Sequence, residues 1–81
     1  MNKEIHLQYF AHFREERGLS KEMIFTTAET PRDLYADLQN RYKFKLSPES
    51  LRVAINDEFV EWDTPLRAAD TVVFIPPVAG G

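Results

Sequence analysis

The apolar run at residues 72–75, Val-Val-Phe-Ile, constrains the fold of this chain most. A strand with apolar side chains on both faces belongs in the middle of a sheet, where both faces can be covered. Pro76 and Pro77 follow directly and end the strand, because proline fixes φ and has no N–H to donate. The sequence therefore predicts a central strand over 71–75, with one face on a helix and a second apolar face that needs another cover.

An antiparallel hairpin is predicted near the start of the chain. Residues 5–10 alternate between apolar and polar side chains, as a half-buried strand does, and residues 21–27 are rich in strand-forming residues. Between them, residues 11–17 favour one or two helical turns that end at Gly18. The short connection makes antiparallel pairing the expected arrangement, with Phe13 of the connector facing inward.

The main helix is predicted to begin at Pro31 and to run to about Tyr42. Thr30 is a favourable N-cap residue, and proline is favoured at the first helical position. Leu34, Leu38 and Tyr42 recur at every fourth position and form one apolar stripe. A helix with a single such stripe is expected to pack on a sheet.

Two more strands are predicted between this helix and the central strand. Residues 51–55 are rich in strand-forming residues, Asn56 and Asp57 favour a turn, and residues 59–60 form a short returning strand. This order of elements predicts an α+β fold of the β-grasp type, a mixed sheet with one main helix. The first and last strands are expected to lie side by side and parallel at its centre.

Length and composition predict one small domain with a projecting tail. A chain of 81 residues has room for one core, so we assign residues 1–75 to the β-grasp domain and residues 76–81 to a flexible tail. A proline-stiffened segment rises about 3.1 Å per residue, so six residues reach roughly 19 Å, enough to enter a pocket in another protein.

Charge and cysteine content exclude several functional classes. A net charge of −3 gives no electrostatic reason to expect nucleic-acid binding. The absence of cysteine excludes disulfides and thiolate metal sites, and it fits a reducing compartment. Since no signal core or membrane-length apolar segment is present, we expect a cytoplasmic protein that does not bind membranes.

No constellation of side chains predicts a catalytic or metal site. His6 and His12 have no carboxylate at metal-ligand spacing, and glycine occurs only at 18, 80 and 81, which excludes a phosphate-binding glycine loop. Two groups of carboxylates lack an enclosing pocket and are interpreted as solvated charges: Glu15 and Glu16, and Glu58, Glu61 and Asp63. We expect no metal and no stably bound cofactor.

The reactive group that the sequence offers is the α-carboxylate of Gly81. A carboxylate is ionised at neutral pH and is a poor electrophile, so acyl transfer requires prior activation, for example as an acyl adenylate. Because Gly80 and Gly81 have no side chain, the backbone can pass through a narrow channel. The alternative is that these small residues are an ordinary frayed terminus.

Two aromatic residues each allow two interpretations. Phe10 falls on the face of its strand that otherwise carries His6 and Gln8, so it is either an exposed binding residue or the strand twists or ends before it. Phe59 comes just after a turn, and it is either a lid on the core or a contact for a partner.

Several segments resemble the MoaD-like sulfur carriers, the small subunits of molybdopterin synthase. The resemblance spans almost the whole chain and rests on Tyr9-Phe10-Ala11, Arg14-Glu15, Gly18, Ala54-Ile55-Asn56, Pro65-Leu66, Asp70 and residues 73–81. The strand followed by Pro-Pro-x-x-Gly-Gly is its most specific part. Ala69 departs from the pattern, since the family commonly has glycine before the aspartate.

The resemblance implies a β-grasp fold and a cycle of sulfur transfer. An E1-like adenylyltransferase uses ATP to adenylate Gly81, and a sulfur donor, a sulfurtransferase, converts the terminus to a thiocarboxylate. The tail then enters the large subunit of the synthase and donates sulfur to cyclic pyranopterin monophosphate, forming molybdopterin for the molybdenum cofactor. The chain is then a sulfur-donating subunit of a heterotetramer and not an enzyme on its own. By position, the resemblance assigns partner contacts to Phe10, Phe59, Ile75, Pro76, Pro77, Val78 and Ala79, with Gly80 next to the reactive Gly81.

Three alternatives remain open at the level of sequence. The chain could carry sulfur for another pathway, such as thiamine thiazole or a tungsten cofactor. A ubiquitin-like modifier that attaches to lysines would have the same fold and the same terminal glycines. A β-grasp interaction module with an inert tail is the third alternative.

Overall fold

The apolar run near the end of the sequence does lie at the centre of a sheet. The computed structural model describes residues 2–76, without the side chains of Ala11 and His12. Its elements are β1 (Lys3–Tyr9), α1 (Ala11–Arg17), β2 (Lys21–Thr26), α2 (Pro31–Tyr42), a 3-10 turn (Pro48–Ser50), β3 (Arg52–Ile55), β4 (Glu58–Val60) and β5 (Thr71–Ile75). The predicted order of elements is confirmed, and the predicted boundaries differ from these by one or two residues.

The five strands form a single mixed sheet in the order β2-β1-β5-β3-β4. β5 pairs parallel with β1, where Leu7 lies opposite Val72, and antiparallel with β3, where Ala54 lies opposite Val73. The β1–β2 and β3–β4 pairs are antiparallel. This is the predicted β-grasp topology, with the first and last strands parallel at the centre.

One face of the sheet carries the core, which α2 covers. Val72 and Phe74 of β5 are buried there, together with Leu34, Tyr35 and Leu38 of α2, each of which has no exposed surface. The Tyr35 hydroxyl donates a hydrogen bond to the carbonyl of Leu46, at 2.7 Å, so its burial leaves no unsatisfied donor. The apolar stripe of α2 therefore packs as predicted.

β2 places two polar side chains, Glu22 and Thr26, on the core side of the sheet, with Ile24 buried between them. Glu22 accepts a hydrogen bond from the Tyr9 hydroxyl, at 2.6 Å, and the Thr26 hydroxyl donates to Asp37, at 2.9 Å. Met23 and Phe25 point to the opposite, exposed face. These hydrogen bonds offset the desolvation of the inward-facing polar groups, which explains how the strand tolerates them on its core side.

Left-handed backbone conformations shape two turns. Asn56 and Asp57 have φ values of 52° and 73°, as a two-residue hairpin loop between β3 and β4 requires. Ala69 has φ of 72°, and its N–H donates to the carbonyl of Glu4, at 2.7 Å. The turn at the family's usual glycine position therefore forms with alanine, in a conformation that L-residues disfavour.

Candidate functional site

The face of β5 opposite α2 is apolar and remains partly exposed. Val72 and Phe74 point into the core, so Val73 and Ile75 point the other way, and both are half-buried. Pro76 follows Ile75 and is also half-buried. The predicted second apolar face therefore exists, and it lies directly beside the start of the tail.

Phe10 is exposed on this same face. β1 ends at Tyr9, and Phe10 is the N-cap residue of α1 with an extended backbone, φ −103° and ψ 139°. The extended backbone continues the alternation of the strand, so the side chain of Phe10 lies on the side of Gln8 and is 54% exposed. Phe10, Val73 and Ile75 line one shallow cleft. The strand does end before Phe10, but the side chain of Phe10 still points to the outer face of the sheet.

Phe59 is exposed too, so it is not a lid on the core. Its partner across the β3–β4 hairpin is Ala54, which in turn lies opposite Val73, and this places all three on the outer face. Phe59 is 58% exposed, and the guanidinium carbon of Arg52 lies 4.2 Å from the centre of its ring. Of the two interpretations of Phe59, the partner contact is the one that agrees with this placement.

Together these residues form what we call the outer apolar surface: Phe10, Ala54, Phe59, Val73 and Ile75, of which Ala54 is itself buried. It crosses β4, β3 and β5 and reaches the start of α1. Exposed apolar patches of this kind mark sites of protein interaction, and large aromatic side chains contribute most to such contacts. The sequence predicted Phe10, Phe59 and Ile75 by residue and the second apolar face of β5, to which Val73 belongs. It did not predict Ala54 or the stacking of Arg52.

A second exposed apolar pair was not predicted. Met23 and Phe25 of β2 are 48% and 55% exposed, and their partners on β1 are the polar residues His6 and Glu4, which lie between them and the rest of the sheet. Strand alternation could have indicated their common face. The alternation of apolar and polar residues in β2 was ambiguous, because a charged residue, Glu22, lies on the core side of the strand.

A cluster of charged and hydroxyl groups connects α1 to β2 through hydrogen bonds and an ion pair. Arg17 donates to Glu22 at 2.5 Å, and its guanidinium also lies 3.9 Å from the centre of the Tyr42 ring. Burial and the hydrogen bond to Glu22 raise the pKa of Tyr9 well above its usual range. Burial acts to raise the pKa of Glu22, but hydrogen bonds from Arg17 and Tyr9 outweigh it and lower that pKa. These shifts arise from structural contacts and lie away from the outer apolar surface.

The remaining candidate polar residues form no enclosed site within residues 2–76. His6 Nε2 lies 2.6 Å from a carboxylate oxygen of Glu4, and both side chains are partly exposed. The carboxylates interpreted as solvated are indeed exposed: Glu15, Glu16, Glu58, Glu61 and Asp63. No group of three or more potential metal ligands is found over the same residues.

The end of the chain, where the reaction is predicted, lies outside the residues that the structure describes. The predicted contacts at Pro77, Val78 and Ala79, and the predicted reaction site at Gly80 and Gly81, lie outside the described residues, as does the side chain of His12. These assignments stay predictions. None of the helices in the described part of the chain is both long and apolar enough to cross a membrane.

Comparison with known proteins places the chain in a family. The model of the ThiS family matches residues 7–81. The molybdopterin synthase sulfur carrier subunit of Escherichia coli is 35% identical over 80 residues, which cover 95% of this chain and 99% of that protein. The match therefore spans the full domain and continues through the terminal glycines.

Solved structures show the same fold. The complex of subunits 1 and 2 of molybdopterin-converting factor from Helicobacter pylori contains a chain with 28% identity and a TM-score of 0.65, over 96% of this chain and 99% of that one. Small archaeal modifier protein 1 of Methanosarcina acetivorans matches with a TM-score of 0.79 at 22% identity, over 100% of this chain and 99% of that one. The chain belongs to the ThiS family of ubiquitin-like β-grasp proteins and is a homologue of the molybdopterin synthase sulfur carrier subunits.

Proposed function

We propose that this protein is the sulfur carrier subunit of molybdopterin synthase and that Gly81 carries the sulfur as a thiocarboxylate. The observation that supports this most is the outer apolar surface, which includes Ile75 and so lies directly before the terminal segment that the family model also matches. A surface that can hold a partner beside the base of the tail is what delivery of a terminus requires.

The chemistry is that of an activated carboxylate. An E1-like adenylyltransferase uses ATP to convert the Gly81 carboxylate into an acyl adenylate, with release of pyrophosphate. The persulfide of a sulfurtransferase then displaces AMP to form an acyl disulfide, and a thiol reduces its S–S bond, which releases the thiocarboxylate and leaves a disulfide on the donor. The thiocarboxylate sulfur is a far better nucleophile than the original oxygen. ATP is bound by the activating enzyme, so the carrier itself needs no resident cofactor.

The acceptor in this proposal is the large subunit of the synthase. It contacts the outer apolar surface, receives residues 76–81 in its active site, and holds the cyclic pyranopterin monophosphate to which the sulfur is transferred. A heterotetramer of two carriers and two large subunits in the cytoplasm is the expected assembly. The carrier contributes the nucleophile, and the large subunit contributes the pocket that this small domain lacks.

Mass spectrometry tests the reaction directly. The protein is incubated with the adenylyltransferase, ATP and a sulfur donor, and its intact mass is measured. We expect the gain that accompanies replacement of one carboxylate oxygen by sulfur, followed by conversion of cyclic pyranopterin monophosphate when the large subunit is added. A variant without Gly81 is the control. Absence of the gain with competent partners would refute the proposal, and isopeptide adducts through Gly81 would favour a modifier instead.

A further inference from the structure

Cations border the outer apolar surface on two sides. Arg14 and Lys21 line the cleft that Phe10 and Ile75 share, and no Asp or Glu lines it. On the other side, Arg52 lies over the ring of Phe59. The whole chain carries a net charge of −3, so this positive border is a local departure from the overall balance.

Arg52 is the cation that the fold holds most closely against this surface. Its Cα is the partner of Ile75 in the β3–β5 pairing, and its guanidinium carbon is 4.2 Å from the centre of the Phe59 ring. It therefore lies on β3 between Phe59 of β4 and Ile75 of β5, which both belong to the outer apolar surface. Stacking on an aromatic ring suits a guanidinium because it is planar and more weakly hydrated than an ammonium group.

Arg52 forms no ion pair within residues 2–76. Continuing the β3–β4 register beyond Val53 and Val60 brings Glu61 across from Arg52, yet no ion pair joins the two. The guanidinium also donates no hydrogen bond to another described residue. Its N–H donors are thus available to a molecule that approaches the outer apolar surface.

A partner that covers Phe59 must also remove water from Arg52. Burying an unpaired guanidinium is unfavourable, whereas a carboxylate placed in its plane forms two parallel N–H···O bonds. We propose that the outer apolar surface selects a partner with an apolar centre and a carboxylate-bearing border, and that Arg52, held over Phe59, is the residue that recognises this border. This inference rests on the proposed function and identifies the partner as the large subunit that accepts the tail.

Such recognition separates the correct partner from other apolar surfaces. A protein with a neutral or basic border could bury Phe59 and Ile75 equally well, but it would leave Arg52 desolvated without a counter-charge. Arg52 is therefore a specificity-determining residue that acts before sulfur transfer and takes no part in the chemistry.

The test measures binding of the carrier to the large subunit at several salt concentrations. We expect Arg52→Glu to raise the dissociation constant by roughly tenfold or more, and Arg52→Gln to raise it less and to weaken its dependence on salt. Lys45→Glu, which makes the same charge change in an exposed loop, is the matched control, with an expected change of under about twofold.

The outcomes separate the inference from the function on which it rests. If wild type forms the thiocarboxylate and binds the large subunit, but Arg52→Glu and Arg52→Gln bind as tightly as wild type, the inference is wrong and the function stands. If wild type neither binds nor gains sulfur, both are wrong. Thermal melting of each variant shows whether folding is intact. Arg52→Lys retains the charge without the planar fork, and intermediate binding by this variant supports recognition by paired hydrogen bonds.

Discussion

At the scale of single residues, Ala69 shows where the sequence departs from the best local choice. Its φ of 72° lies in the left-handed region, which costs an L-residue about 1–2 kcal/mol and costs glycine almost nothing. We expect Ala69→Gly to raise the free energy of unfolding by about 0.5–1 kcal/mol after the extra chain entropy of glycine is subtracted, and the melting temperature by roughly 2–8 °C.

Ala68→Gly is the matched control for this substitution. Ala68 is equally exposed and precedes Ala69, but it has no positive φ, so glycine there only adds freedom to the unfolded chain. Thermal or urea unfolding of both variants should therefore move in opposite directions. A loss of stability in both would show that the backbone conformation of Ala69 carries no strain.

Glu22 gives a second prediction at this scale, in the form of a pH dependence. Its pKa in the folded protein lies below the ordinary value of 4.5, so its contribution to stability is present above that value and is lost as the pH falls through the folded pKa. We expect Glu22→Gln to lower the free energy of unfolding at pH 7 by about 1–2 kcal/mol.

Urea unfolding of wild type and variant across the acid range measures this effect. The difference between them should shrink as the pH falls from 4.5 through the lower pKa of folded Glu22, because the carboxylate is then protonated and loses its ion pair with Arg17. Glu15→Gln, at an exposed site, should show no comparable change. A Glu22→Gln difference that stays constant with pH would contradict the role of the ionised carboxylate.

Sequence could predict some of these residue positions and not others. Phe10 could be placed on the outer face because strand alternation continues past the end of the strand, whatever the exact boundary. Arg52 was not predicted to stack on Phe59, because the two residues are not direct partners across the hairpin, and their contact depends on the conformation of a long side chain, which strand alternation does not give. The outward direction of Met23 was equally hidden, because Glu22 beside it pairs with residues distant in sequence.

At the scale of elements, β2 is an edge strand that the helix α2 protects. The Ser20 carbonyl points toward β1, where it accepts from Tyr9, so by alternation the Phe25 carbonyl points to the free edge. Arg41 of α2 reaches over and donates to that carbonyl, at 2.9 Å, while Asp37 holds the guanidinium at 3.2 Å. A charged side chain on an exposed edge hinders pairing with another chain.

Removal of this charge should therefore promote self-association. We expect Arg41→Ala to shift the protein from monomer toward dimers or larger species as its concentration rises, because the freed Phe25 carbonyl lies beside the exposed Met23. Sedimentation velocity over a concentration series measures the change. Arg32→Ala, on the exposed side of the same helix, is the control and should behave like wild type. An Arg41→Ala protein that stays monomeric would show that the edge needs no such protection.

The elements themselves were largely predictable from local chemistry. The run of apolar residues at 72–75 indicated the central strand. Thr30 and Pro31 indicated where α2 begins, and the Thr30 hydroxyl does accept a hydrogen bond from the Asp33 N–H, at 3.2 Å. The ends of β1 and β3 were less predictable. They depend on pairing partners across the sheet, which the sequence of one strand does not contain.

At the scale of the whole molecule, the outer face of the sheet carries two apolar areas with different expected roles. Phe59 belongs to the outer apolar surface beside the tail, and Phe25 lies at the opposite edge, on β2, with similar exposure of 58% and 55%. We expect Phe59→Ser to weaken binding to the large subunit by roughly tenfold or more, as loss of an aromatic anchor does, and Phe25→Ser to change it by less than about twofold.

Titration calorimetry of both variants with the large subunit provides the measurement. Since the two side chains are almost equally exposed, the substitutions should have similarly small effects on thermal unfolding, and any difference in binding then reflects position alone. Equal losses of affinity would mean that the partner covers the whole outer face, and an effect confined to Phe25→Ser would place the contact at the other edge.

The position of β5 also has a consequence for synthesis of the protein. Every other strand precedes β5 in the chain, yet β5 lies between β1 and β3 and joins the two hairpins into one sheet. A nascent chain can form those hairpins early, but contacts between distant segments must wait until residues 71–75 have left the ribosome. The same strand contributes Val73 and Ile75 to the outer apolar surface. A chain cut short before β5 therefore lacks the strand that joins the two parts of this surface, so we expect a partner to bind only carriers whose translation and folding are complete.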